Sequence, residues 1–202
     1  MTTVAILSIK PVYAQQILAG TKTIELRRSA MGLKRGDLII VYISSPEQRL
    51  GMWFRVRDIE ALPVDEMWAR YHDRLGIDQE PYLAYFEGAP RAIGLHVSDL
   101  HPFEPGLPLP EIRQLVPGFV PPQGMLVIRD IRGRYQDLLA RLPSPLPTDI
   151  FPQLALFQEA RPAAPARDDT PRPPRSGIVE KSARGEHDKP RAARPRAKRA
   201  AR

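Results

Sequence analysis

The sequence predicts an α+β fold, a small β-barrel with flanking helices followed by a disordered basic tail. Three observations point there. Short apolar runs rich in branched residues alternate with stretches of helical spacing through residues 1–142. From Arg161 onward Pro, Ala and Arg dominate and no apolar periodicity survives, so that segment buries too little apolar surface to offset its chain entropy. Charge divides at the same place. Residues 161–202 hold 13 basic and 5 acidic side chains, which leaves 17 and 18 in the first 160.

Val4 to Ile9 is short, apolar and branched, as a first strand would be, with Ser8 and Lys10 on its polar side. Pro11 suits the first turn of a helix, and Val12, Tyr13, Ile17 and Leu18 give it an apolar stripe ending near Ala19. Gly20 fits a helix C-terminal glycine, and a strand starts at Thr23. Residues 32–37, GLKRGD, read as a turn into Leu38 to Ile43, which is apolar on both faces like a strand inside a sheet. Alternation returns from Leu50 to Ile59, with Met52, Phe54 and Val56 opposite Trp53, Arg55 and Arg57, a hairpin partner across the loop Ser44 to Arg49.

Pro63 to Leu75 carries Val64, Met67, Trp68, Tyr71 and Leu75 at helical spacing. Asp78 then caps a second short helix bearing Tyr82, Leu83, Tyr85 and Phe86, closed by Gly88. Ala92 to Leu100 alternates as a strand. Pro102 to Pro122 holds seven prolines and reads as loop, with one helical turn at Glu111 to Leu115. Met125 to Ile128 supplies a last strand, and Ile131, Tyr135, Leu138, Leu139 and Leu142 a terminal amphipathic helix. The expected organisation is a domain over 1–142, a proline-rich linker or docking segment over 143–160, and the tail over 161–202.

The absence of cysteine excludes disulfides, a thiolate nucleophile and Cys-type zinc sites. His72, His96, His101 and His187 show no metal-ligand spacing, and no cofactor is expected. The first residues lack the pattern of a secretory signal, and no run approaches the ~20 apolar residues of a membrane span, so a cytoplasmic protein is expected.

The stretch richest in chemistry is Gly20 to Arg28, GTKTIELRR. On a strand, Thr23, Glu25 and Arg27 share one face while Ile24 and Leu26 enter a core, with Lys22 at the mouth. Lys10, Lys22, Arg27 and Arg28 can grip a phosphate or a base edge, and Glu25 can accept from a base amino group. Ser8 joins the expected ligand set, and Trp53 and Tyr42 are candidate stacking platforms. The bland alternative, a solvated edge strand whose ion pairs are worth about 0–1 kcal/mol each, stays open here.

The order LSIKP, helix, GTKTIELRR resembles the signature of the ASCH family, in which Gly, any residue, Lys, two residues, Glu, any residue and Arg form the core motif; Gly20, Lys22, Glu25 and Arg27 fill it. The resemblance continues through GDLIIVYISSP, WARYHDRLGI, YLAYFEGAPRAIGLHV and VPPQG, over about residues 4–130. It implies a PUA-like barrel with a cleft where the motif strand meets the first helix, and binding of RNA or a nucleotide. Some small relatives hydrolyse the acetyl amide of 4-acetylcytidine with a lysine, a threonine and a distant carboxylate. Lys22 matches that lysine, while Glu25 stands where those enzymes carry the threonine.

The leading expectation is therefore an RNA-binding or nucleotide-binding module, with further nucleic-acid contacts through the basic tail and no membrane partner. One alternative is a nucleoside amidohydrolase in which Lys22, Thr23 and Glu25 act with a distant acid, Glu66, Asp73 or Glu87. Another is a protein-interaction adaptor whose barrel carries no ligand chemistry.

Overall fold

The computed structural model describes residues 2–30, 32–131 and 133–147. They build six strands: β1 Val4–Ile9, β2 Ile24–Arg27, β3 Leu38–Ile43, β4 Arg49–Leu62, β5 Ala92–Pro108 and β6 Met125–Ile128. Five helices accompany them: α1 Pro11–Leu18, α2 Val64–Tyr71, α3 Gln79–Tyr85, α4 Leu109–Leu115 and α5 Gln136–Ala140. The strands form one mixed sheet in the order β2-β5-β4-β3-β1-β6, with β1 parallel to β3 and the other pairs antiparallel. The sheet curls into a half-barrel, since β2 and β6 are its two ends.

Both faces of the central strands are covered, as the uninterrupted apolar run of β3 requires. On one face Leu7, Ile39, Val41, Phe54, Val56 and Leu95 meet Ala14 and Ile17 of α1. On the opposite face Ile6, Leu38, Ile40 and Trp53 meet Ile112 of α4 and Leu138 and Leu139 of α5. A third cluster ties Ile24 and Leu26 to Met67, Tyr82 and Phe86, so β2 is docked by α2 and α3.

Three elements differ from the expectations above. The stretch read as proline-rich loop continues β5 to Pro108, with Pro102 opposite Met52 and Pro108 opposite Arg49. β2 pairs only with Ile93 to His96, so the later half of β5 has no strand on its outer side and a missing N–H costs no ladder bond there. The terminal helix shrinks to five residues because the chain makes a turn at Gly133, whose amide reaches Asp130 O at 3.4 Å. Asp78 takes the N-cap position of α3, but its carboxylate makes no capping bond.

The expected docking segment beyond residue 147 and the basic tail lie outside the described residues. Among the described residues no helix is long and apolar enough to cross a membrane.

Candidate functional site

The two parallel strands β1 and β3 end side by side at Ile9 and Ile43, and the chain leaves them in opposite directions, into α1 and into the loop 44–48. Between those exits, β2, α3 and the 121–123 segment lies a cavity of about 690 Å³. Its floor is polar and its walls are largely apolar.

The floor comes from the motif strand. Lys22 is 3% exposed, and its ammonium has an acceptor for each N–H: Leu75 O at 2.5 Å, Ile24 O at 2.9 Å and Glu25 Oε2 at 3.5 Å. Lys22, expected at the mouth of the strand, is thus buried while still lining the cavity. Gly76, at φ +63°, lets the 75–77 turn close on this lysine; a Cβ there would lie 2.9 Å from Lys22 Cβ. Burial pushes the Lys22 ammonium below its usual pKa, with Glu25 opposing that shift and Arg27 adding to it.

Glu25 is 6% exposed and holds Lys22 on one side and Arg27 on the other, where Arg27 Nη2 reaches Glu25 Oε1 at 2.8 Å. The same nitrogen donates to Ser8 O at 2.9 Å, binding β2 to the end of β1 across the open side of the sheet. Among the described residues Arg27 Nε, buried on a side chain that lines the cavity, has no hydrogen-bond partner. Ser8 Oγ donates to Pro122 O at 2.7 Å and Ser8 N to Gly124 O at 3.0 Å, which fastens the 121–124 segment over the cleft.

The walls were not singled out from the sequence. Tyr13 from α1, Tyr85 from α3, and Leu26, Ile77, Pro81, Pro121 and Pro122 line them. The Tyr13 phenol is raised in pKa by burial, then by the charges of Glu25 and Asp78, and its ring lies 5.5 Å from Lys22 Nζ. Tyr85 is raised as well, by burial first, with Arg27 pulling it down and Glu25 pushing it up. Both tyrosines belong to the apolar stripes of their helices, and the one signal that could have marked them is that each stripe ends beside the motif strand. Lys10 is exposed at the rim, at the N-cap of α1.

Of the residues expected at the site, Ser8, Lys10, Lys22, Glu25 and Arg27 are brought together around the cavity. Arg28 is not among them. It donates to Tyr85 O and Glu87 O, each at 3.0 Å, and so fixes the end of α3 against β2. Thr23 faces away and accepts from Arg74 Nε at 2.9 Å. Trp53 is 2% exposed on the opposite face of the sheet, stacked on His101 at 4.0 Å between ring centroids. Tyr42 is 3% exposed and belongs to the apolar core while also reaching the cavity wall. Glu66, Asp73 and Glu87 do not line the cavity.

Residues 7–104 match the family model of the ASCH domain. Among curated proteins the chain is similar to an ASCH domain-containing ribonuclease of Zymomonas mobilis, 27% identical over 125 residues, which is 62% of this chain and 84% of that protein. Among solved structures it is similar to the crystal structure of ASCH from Zymomonas mobilis, with a TM-score of 0.63 and 25% identity over 71% of this chain and 98% of that one. A mutant form of that protein superposes equally well, with a TM-score of 0.63 at 25% identity, over 69% of this chain and 96% of its own. The family match spans the motif strand and the floor of the cleft: residues 7–104 carry an ASCH domain.

Proposed function

We propose that the domain is an RNA-binding module that seats one nucleotide of a single strand in the cleft, base inward and phosphate toward Lys10. The observation that carries this reading is the composition of the cavity. A space of about 690 Å³ is sized for a small organic ligand, and it combines apolar and aromatic walls with an Arg27–Glu25 pair on the floor. Tyr13 and Tyr85 offer faces to a base, which is how single-stranded RNA is usually held. On the floor, Glu25 is an acceptor and Arg27 a donor, so they complement a base edge that presents both.

Lys22 is a positioning residue in this reading. Its three N–H groups are engaged, so it orients Glu25 rather than gripping phosphate. The similarity to a protein named a ribonuclease favours a second reading, in which the seated nucleotide is also cleaved. There the 2′-oxygen would attack the adjacent phosphorus, the bond to the 5′-oxygen would break, and a 2′,3′-cyclic phosphate would form. The cleft group able to accept that proton and return it to the 5′-oxygen is the Glu25 carboxylate. The acetyl-amide reading lacks its threonine, because Thr23 is turned away from the cavity.

Calorimetry with a nucleoside monophosphate and a short unstructured RNA, at salt high enough to screen the tail's charges, tests the proposal. Arg27→Ala is expected to weaken both ligands at least tenfold. A folded Arg27→Ala protein that binds both like the wild type would refute it. Mass analysis of the RNA after incubation decides the second reading by the presence or absence of a 2′,3′-cyclic phosphate end.

A further inference from the structure

A second, smaller cavity of about 310 Å³ lies away from the cleft, lined by Arg35, Arg57, Asp58, Glu60, Tyr71 and His96. Its existence follows from an irregularity in β4. Val56 pairs with Val97 and Asp58 with His96, so Arg57 is the extra residue of a β-bulge. Val56 and Ile59 both pack into the core beneath α1, which puts Arg57 and Asp58 together with Glu60 on the other side. Strict alternation would have separated them. Bulges are found where a side chain has to be re-aimed, often beside binding sites.

We propose that this cavity binds a phosphate group, held by Arg35 and Arg57 above His96. His96 is 5% exposed and forms the floor, with Nε2 at 2.7 Å from Glu60 Oε2. Its Nδ1 faces Arg57 Nη2 at 3.5 Å, a contact too long to satisfy the guanidinium. Among the described residues neither Arg35 nor Arg57 has a carboxylate partner, whereas Arg49, Arg55 and Arg70 each have one. Asp58 and Glu60 line the same cavity, but neither is ion-paired with Arg35 or Arg57, so both guanidinium forks are available to a phosphate oxygen pair.

The acidic groups nearby are engaged elsewhere. Glu60 is shared by His96, the Tyr71 hydroxyl and, at 3.7 Å, Arg70 Nη1. Asp58 accepts the Ile59 amide at 2.9 Å. The turn that carries Arg35 is firmly held: Asp37 accepts from Thr3 N and Lys34 N at 2.8 and 2.7 Å, and Gly36 O accepts from Arg55 at 3.2 Å. The backbone that carries Arg35 is thus fixed before any ligand arrives.

The probe is inorganic phosphate, added to the full chain while the His96 imidazole is followed by NMR. Saturating shifts of His96 are expected, with at least a tenfold weaker apparent affinity in Arg57→Gln and in Arg35→Gln. Both changes are at exposed side chains and should leave thermal unfolding unchanged, which checks that the variants are folded. A second arm uses a short RNA without terminal phosphates. If it shifts His96 with the same dependence on Arg35 and Arg57, the phosphate is an internal one of a nucleic-acid strand. If inorganic phosphate alone does so, the ligand is a free phosphate or monoester. If neither probe gives a saturable shift, or the shifts survive both substitutions, the cavity is no phosphate site.

Discussion

Lys22 is a cation 3% exposed, and it stays folded in because two carbonyls and a carboxylate meet its three N–H groups. Removing one member of such a buried arrangement costs about 3–5 kcal/mol, so Lys22→Met should lower the unfolding midpoint well beyond an ordinary surface change. The pH dependence has a definite sign. The folded-state pKa of Lys22 lies below 10.5, so between that lowered value and 10.5 the unfolded chain holds more protons and stability rises with pH. Urea titrations at pH values rising to 10.5 should show that rise in the wild type and its absence in Lys22→Met. Tyr82 acts oppositely: burial and then Asp65 raise it to about 12, so its contribution is complete below pH 10 and disappears as pH climbs through 12. At this scale the sequence was partly legible. The spacing of Gly20, Lys22, Glu25 and Arg27 identified the floor of the cleft. It could not show that Lys22 is buried or that Trp53 is covered, because alternation along a strand does not reveal whether a second layer packs on the outer face.

The helices and strands explain what the single residues do. Arg28 joins the end of β2 to the last turn of α3 through two carbonyl contacts, and that turn carries Tyr85 into the cleft. Because these contacts are exposed, Arg28→Ala should change stability by no more than about 1 kcal/mol. Its effect should appear in nucleotide affinity, measured by calorimetry, as Tyr85 loses its fixed position. Ile24 is the converse case. It is fully buried among Met67, Tyr82 and Phe86, and Ile24→Asp should cost several kcal/mol and undock α2 and α3, visible as an early loss of protection in hydrogen exchange. The regular elements β1, α1, β3 and β6 were readable from apolar patterning because each follows one periodicity throughout. β4 was readable only as far as Ile59 and β5 only as far as Leu100. The bulge at Arg57 breaks the alternation, and the prolines of β5 signal a loop unless it is known that one edge of the strand has no neighbour.

For the whole molecule, charge is unevenly divided along the chain. The first 160 residues hold 17 basic and 18 acidic side chains, which gives them little long-range pull on a polyanion, while residues 161–202 hold 13 basic and 5 acidic. The tail's structure is outside the described residues, yet its composition alone predicts a salt-dependent contribution. Deleting residues 161–202 should flatten the slope of log K against log salt for a single-stranded RNA, by about 0.7 for each phosphate that the tail would otherwise neutralise. Nucleoside monophosphate binding in the cleft should barely change. This charge division was legible from sequence, whereas the open side of the half-barrel, on which the cleft depends, was not, since strand patterns do not tell whether the last strand closes on the first. The most direct test is an amide shift map of the domain titrated with a short unstructured RNA after tail deletion. The account predicts saturating shifts that concentrate at Ser8, Tyr13, Glu25, Arg27 and Tyr85 and vanish in Arg27→Ala; binding that leaves these five residues unmoved would contradict it.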